Sequence, residues 1–80
     1  MDFPQYRKRF DHKSFYKLIN ERTLEEVQLI GNKPFIHNLE ATQYFEIIRL
    51  QEILACAEGQ YTVSDEVEFE KAKIPPKELN

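Results

Sequence analysis

Cys56 is the only cysteine in the chain, so no intrachain disulfide and no cysteine-rich zinc cluster can staple the fold. Eighty residues must therefore hold together around a single apolar core. A chain of this size buries roughly 60–65% of the surface its unfolded form exposes, which leaves a thin stability margin. Six Phe and four Tyr are enough to anchor one such core. They are too few to surround a flavin or haem as well, and no cofactor is expected.

The segments can be read by their periodicity. The stretch Met1–His12 contains Pro4 and a basic, aromatic run, with room for a short edge strand at Tyr6–Phe10. Ser14–Asn20 is rich in aromatic and β-branched residues and is predicted as a strand. Alternation puts Tyr16 and Leu18 on one face and Phe15, Lys17 and Ile19 on the other. Thr23–Ile30 admits two readings. Thr23 and Glu26 fit a helix capping box, but Val27 and Leu29 alternate with Glu26 and Gln28 as in a half-buried strand, and the strand is preferred. Gly31-Asn32 then closes a hairpin, with Gly first as a type II′ turn favours, and Pro34–Ala41 forms the return strand.

Thr42 can cap a helix over Gln43–Ala57, stopped by Gly59. On a helical wheel Tyr44, Ile47, Ile48, Leu50, Leu54, Ala55 and Ala57 form the arc expected to lie on the sheet. A second stripe, Phe45, Arg49, Ile53 and Cys56, falls on the other side. It can be covered by a terminal segment, pair with itself in a homodimer, or receive another protein. Tyr61–Val63 reads as a short strand or extended link. Ser64-Asp65-Glu66 opens a helix to Lys73 that would bury Val67, Phe69 and Ala72, although the same residues also alternate as an edge strand would. Pro75 and Pro76 end regular structure, and 75–80 is expected to be a flexible tail. The predicted fold is one α+β domain over residues 1–74. It comprises an antiparallel meander of about three strands, one long helix packed on it, and a short C-terminal helix.

The order of segments has a counterpart elsewhere. A Tyr6-Arg7-Lys8 lead-in precedes Lys13-Ser14-Phe15-Tyr16-Lys17, then Glu25-Glu26-Val27-Gln28-Leu29-Ile30-Gly31, His37, Gln43-Tyr44, Glu46 and Arg49-Leu50-Gln51-Glu52-Ile53-Leu54. Over roughly residues 5–70 this resembles a group of small, uncharacterised bacterial proteins. Phe45 stands where those sequences carry Pro after the Gln-Tyr pair. The resemblance implies a bacterial, cytoplasmic protein and no particular activity. An unstapled chain with one cysteine also suits a reducing compartment. The N-terminal residues have no apolar run of the kind a signal peptide needs. Tyr44–Ala57, the most apolar stretch, is broken by Glu46, Arg49, Gln51 and Glu52, and no membrane span is expected.

Chemistry-bearing residues are sparse. His12, His37 and Cys56 are far apart in sequence and lack the one-turn or one-hairpin pairing of zinc ligands, so no metal site is predicted. Cys56, flanked by Ala55 and Ala57, reads as a compact helix-packing residue rather than a nucleophile. Glu66, Glu68 and Glu70 read as a solvated face, and Gly31 and Gly59 stand too far apart for a phosphate loop. No catalytic residue is nominated, and the chain is expected not to be an enzyme.

Charge is more informative. The net charge is −3, yet residues 1–22 carry six basic and three acidic side chains, against five and eleven over residues 23–80. The simplest expectation is intramolecular, with a basic first strand lying beside acidic elements. Arg7, Lys8, Arg9, Lys13 and Lys17 are also candidate contacts for an acidic protein partner. Interleaved with aromatics, they are secondarily candidates for nucleic acid. The sequence pI of about 5.3 weighs against a polyanion. With Phe45, Arg49 and Ile53, these cations make up the predicted interaction surface of a non-catalytic interaction or adaptor module.

Overall fold

The computed structural model describes residues 2–75. Five strands, β1 (Gln5–Arg9), β2 (Ser14–Leu18), β3 (Thr23–Ile30), β4 (Lys33–Glu40) and β5 (Tyr61–Val63), form one antiparallel sheet in the order β4-β3-β2-β1-β5. Helix α1 (Tyr44–Ala55) lies between β4 and β5 in the chain, and helix α2 (Glu66–Ala72) follows β5. The α+β class is as expected, but the sheet is larger than the three-strand meander predicted. The basic lead-in is an interior strand rather than an edge, because β5 returns to pair with its free side. Most of the predicted tail, 76–80, lies outside the described residues.

The turns explain why β1 to β4 run as a meander. Between β1 and β2, His12 adopts a left-handed conformation and Asp11 Oδ1 accepts the Lys13 N–H at 3.0 Å. Between β2 and β3, Asn20 Oδ1 accepts the Arg22 N–H at 2.8 Å, ending β2 at Leu18 rather than at the predicted Asn20. Gly31, with φ +63°, and Asn32 link the Ile30–Lys33 pair in the two-residue turn expected for this hairpin. The strand reading of Thr23–Ile30 and the helical reading of the segment after Asp65 both match the structure.

The chain leaves the sheet at one edge and rejoins it at the other, so α1 must cross one face. Tyr16 and Leu18 alternate to that face. There they form a core with Leu24, Ala41, Leu50 and Ile53, and with the partly buried Ile47, Leu54 and Tyr61. Phe15 alternates to the opposite face, where it packs with Val27, Phe69 of α2, Tyr6 and Leu29. Each face of the sheet thus carries one helix.

The orientation of α1 differs from the wheel. Leu50 and Ile53 are fully buried, while Tyr44 is exposed and Phe45 is 82% exposed. On that face Tyr16, Leu18 and Leu24 form a strip of apolar side chains. The helix settles with Ile47, Leu50, Ile53 and Leu54 towards that strip, and Tyr44 and Ala55 turn outward. Ile53 is therefore core and not part of an exposed stripe with Phe45. In α2, Val67 is exposed while Phe69 is buried, because residues two apart on a helix point about 200° apart.

The helix termini also depart in detail. The N-cap of α1 is Gln43 rather than Thr42, and Glu46 Oε1 accepts the N–H groups of both Gln43 and Thr42 at 3.1 Å. Those backbone donors hold the Glu46 carboxyl below its ordinary range. The helix ends at Ala55, where Cys56 takes the left-handed cap conformation, φ 53°. A 3-10 turn, Ala57–Gly59, follows.

Candidate functional site

Of the eight predicted interaction residues, Arg7 is the most altered by the fold. It is 8% exposed. Its Nε and Nη2 donate to the Leu54 carbonyl at 3.1 and 3.0 Å, and its Nη1 donates to the Tyr6 carbonyl at 2.8 Å. The guanidinium thereby closes the last turn of α1, where carbonyls lack helical partners and the helix dipole favours a cation. Lys8 alternates to the other face, where its Nζ donates to Glu68 Oε2 at 2.8 Å. Glu68 Oε1 also accepts from the Ser64 hydroxyl at 2.8 Å, and Lys8 and Ser64 together hold the carboxyl below its ordinary range. Lys17, on the same face as Lys8, sits opposite Glu25 in the β2–β3 register. Glu25 itself pairs with Lys73 at 3.4 Å, so of the N-terminal cations Lys8 is the one that the described residues pair with the acidic remainder of the chain. Arg7 and Lys8 are committed to internal contacts, leaving Arg9, Lys13 and Lys17 for any outside anion.

Arg9, Lys13 and Arg49 converge on a groove beside α1. The helix covers only part of its face, leaving open a hollow of about 290 Å³ with Ser14 and Tyr16 at its base and Glu26 and Gln28 along it. A second hollow shares Glu26, Gln28 and Arg49 and reaches His37 on β4. Arg49 Nη2 lies 3.9 Å from Glu26, and Arg9 Nε lies 3.6 Å from Asp11 while its guanidinium sits over the Phe10 ring. Burial, aided by the Glu26 carboxylate, raises the Tyr16 pKa and keeps its hydroxyl protonated. Burial draws the Arg49 guanidinium down, but Glu26, Tyr16 and Tyr61 outweigh it and raise its pKa. Cations and carboxylates alternate here, which suits a mixed polar surface better than a polyanion.

The remaining candidates stay apart. His12 occupies the β1–β2 turn, His37 the middle of β4, and Cys56 the end of α1. Among the described residues no three His, Cys, Asp or Glu side chains gather as metal ligands would. Glu70 pairs with Lys73 at 3.4 Å, and Glu66 is exposed. No described helix is long and apolar enough to cross a membrane.

The feature that sequence reasoning missed is the outer edge of β4, which pairs with no other strand among the described residues. Its side chains are mostly exposed, with Phe35 43% and Ile36 50% exposed on opposite faces. Three hydrogen bonds fix which of its main-chain groups point outward. On β3, Leu29 N–H bonds Lys13 O and Thr23 O accepts from Ile19, so odd-numbered residues face β2. Arg22 O accepts from Ala41 N–H, so even-numbered residues face β4. With the pairs Ile30–Lys33 and Gln28–Phe35, this turns Lys33, Phe35, His37 and Leu39 inward to β3. Pro34, Ile36, Asn38 and Glu40 point their main-chain groups outward. Pro34, which has no N–H, sits where a strand can lack one, and a proline inside a strand was the available sign of an edge. No family model, curated protein or solved structure matches this chain.

Proposed function

We propose that this chain is a non-catalytic protein-interaction module that engages its partner by main-chain pairing along β4. What carries this is the row of outward N–H groups at Ile36, Asn38 and Glu40, flanked by exposed Phe35 on one face and Ile36 on the other. An uncovered edge of this kind is a template for an added strand, with main-chain bonds giving affinity and flanking side chains giving selectivity. The opposite edge, β5, has only three residues and offers far less to pair with. The exposed Tyr44–Phe45 ring pair, with centroids 5.8 Å apart, gives a second apolar contact on α1. The single cysteine and the resemblance to small bacterial proteins support a cytoplasmic setting.

Asn38→Pro tests the proposal. It deletes one outward N–H and leaves the β3–β4 ladder intact. Tagged wild-type protein in nuclease-treated lysate should retain a stoichiometric protein that the Asn38→Pro variant loses. Identical retention by both proteins would remove β4 as the docking element. Loss of all binding on nuclease treatment would favour nucleic acid at Arg9, Lys13 and Lys17.

A further inference from the structure

We infer that the strand taken up by β4 is β4 of a second copy of this chain, paired antiparallel about a two-fold axis through His37. This rests on reading β4 as the docking edge, and adds which strand docks and in what register.

The outward set of main-chain groups restricts the registers. Two copies of β4 can pair only by matching outward residues with outward residues, so the two-fold axis must pass through a residue and not between two. Centring it on His37 sets Ile36 opposite Asn38 of the second copy, and Asn38 opposite its Ile36. Pro34 then falls opposite Glu40 at the end of the ladder, where its missing N–H removes the fewest bonds. On the face that carries α1, exposed Phe35 meets the half-buried Leu39 of the second copy, an apolar cross-strand pair. On the other face the two Ile36 side chains become diagonal neighbours. Centring on Ile36 instead sets Phe35 against His37, and centring on Asn38 leaves Phe35 beyond the paired segment.

Charge agrees with the antiparallel direction. β4 begins at Lys33 and ends at Glu40, so the basic end of each copy lies beside the acidic end of the other. A parallel arrangement would bring like ends together. The two sheets then join edge to edge, and the longer open edge of the described sheet is closed in the manner of a self-complementary two-fold interface.

The register has a geometric signature. His37 faces its own copy as a non-hydrogen-bonded pair, with Cα atoms about 4.5 Å apart, inside the range a disulfide spans. In a Cys56→Ser background, His37→Cys should cross-link under mild oxidation, and Asn38→Cys should do so far more slowly. Sedimentation equilibrium on the wild-type chain should show a monomer–dimer equilibrium, weakened about tenfold or more by Asn38→Pro through the lost main-chain bonds. The cross-linking arm stands even if the proline variant folds poorly. A monomer at all concentrations, or equal cross-linking at both positions, overturns the second copy as the occupant. If the chain is monomeric while Asn38→Pro still abolishes capture of another protein, the docking edge survives and its occupant is that protein. If Asn38→Pro changes neither, both readings fall.

Discussion

The guanidinium of Arg7 donates two hydrogen bonds to one carbonyl oxygen, that of Leu54 in the last turn of α1. A side chain that composition assigns to an exposed basic patch thus fastens the long helix to the sheet. Replacing it should leave an unfilled space and a part-buried carbonyl without its partner. Arg7→Ala is expected to destabilise the domain by about 2–4 kcal/mol, and Arg7→Lys to recover only part of that, since one ammonium cannot reproduce the fork. Urea denaturation followed by circular dichroism reads both values.

The two faces of α1 predict opposite mutational costs. Ile53→Ala should destabilise by about 2–4 kcal/mol, through lost burial and a residual cavity. Phe45→Ala, at an exposed site, should stay within about 0.5 kcal/mol of wild type. Thermal melts of the two variants separate core from surface directly, and similar losses for both would contradict the orientation described for α1.

Glu68 gives the fold a pH dependence of known sign. Lys8 and Ser64 depress its folded-state pKa, so its contribution is present above the ordinary carboxylate range and is lost as pH falls through the depressed value. The pair is partly exposed, and solvent screening limits it to about 0.5–1 kcal/mol. Glu68→Gln should therefore be less stable than wild type at pH 7, with the gap closing towards pH 3. A gap that is constant across that range would show that charge plays no part.

Glu58 adopts a left-handed conformation, φ 55°, on the exposed turn after α1. A side chain there is strained against its own backbone. Glu58→Gly should raise the stability by about 0.5–1 kcal/mol, measured as an upward shift in the urea midpoint.

Local order in the sequence was enough to place much of the sheet. The period-two alternation of β2 assigned Tyr16 and Phe15 to opposite faces, and Gly31-Asn32 marked the β3–β4 hairpin. The antiparallel pairing of β1 with β5 was not legible, because it joins residues far apart in the chain through a three-residue strand with little pattern of its own. The role of Arg7 was hidden for the same reason, its acceptor lying 47 residues away. The facing of α1 could not be fixed while Tyr44, Ile48 and Ile53 all counted as apolar; only packing against the sheet separates the buried Ile53 from the exposed Tyr44. Only Pro34 announced the outer edge of β4, and its meaning depends on which main-chain groups the register turns outward.

Amide hydrogen exchange by NMR, recorded as association is driven by concentration or by a captured partner, tests the central claim most directly. Pairing along β4 predicts new protection at the Ile36 and Asn38 amides, with Glu40 protected at the end of the ladder and the exposed amides of the 3-10 turn unchanged. Association that leaves Ile36, Asn38 and Glu40 exchanging at their free rates, with protection appearing around Tyr44 and Phe45 instead, would contradict it.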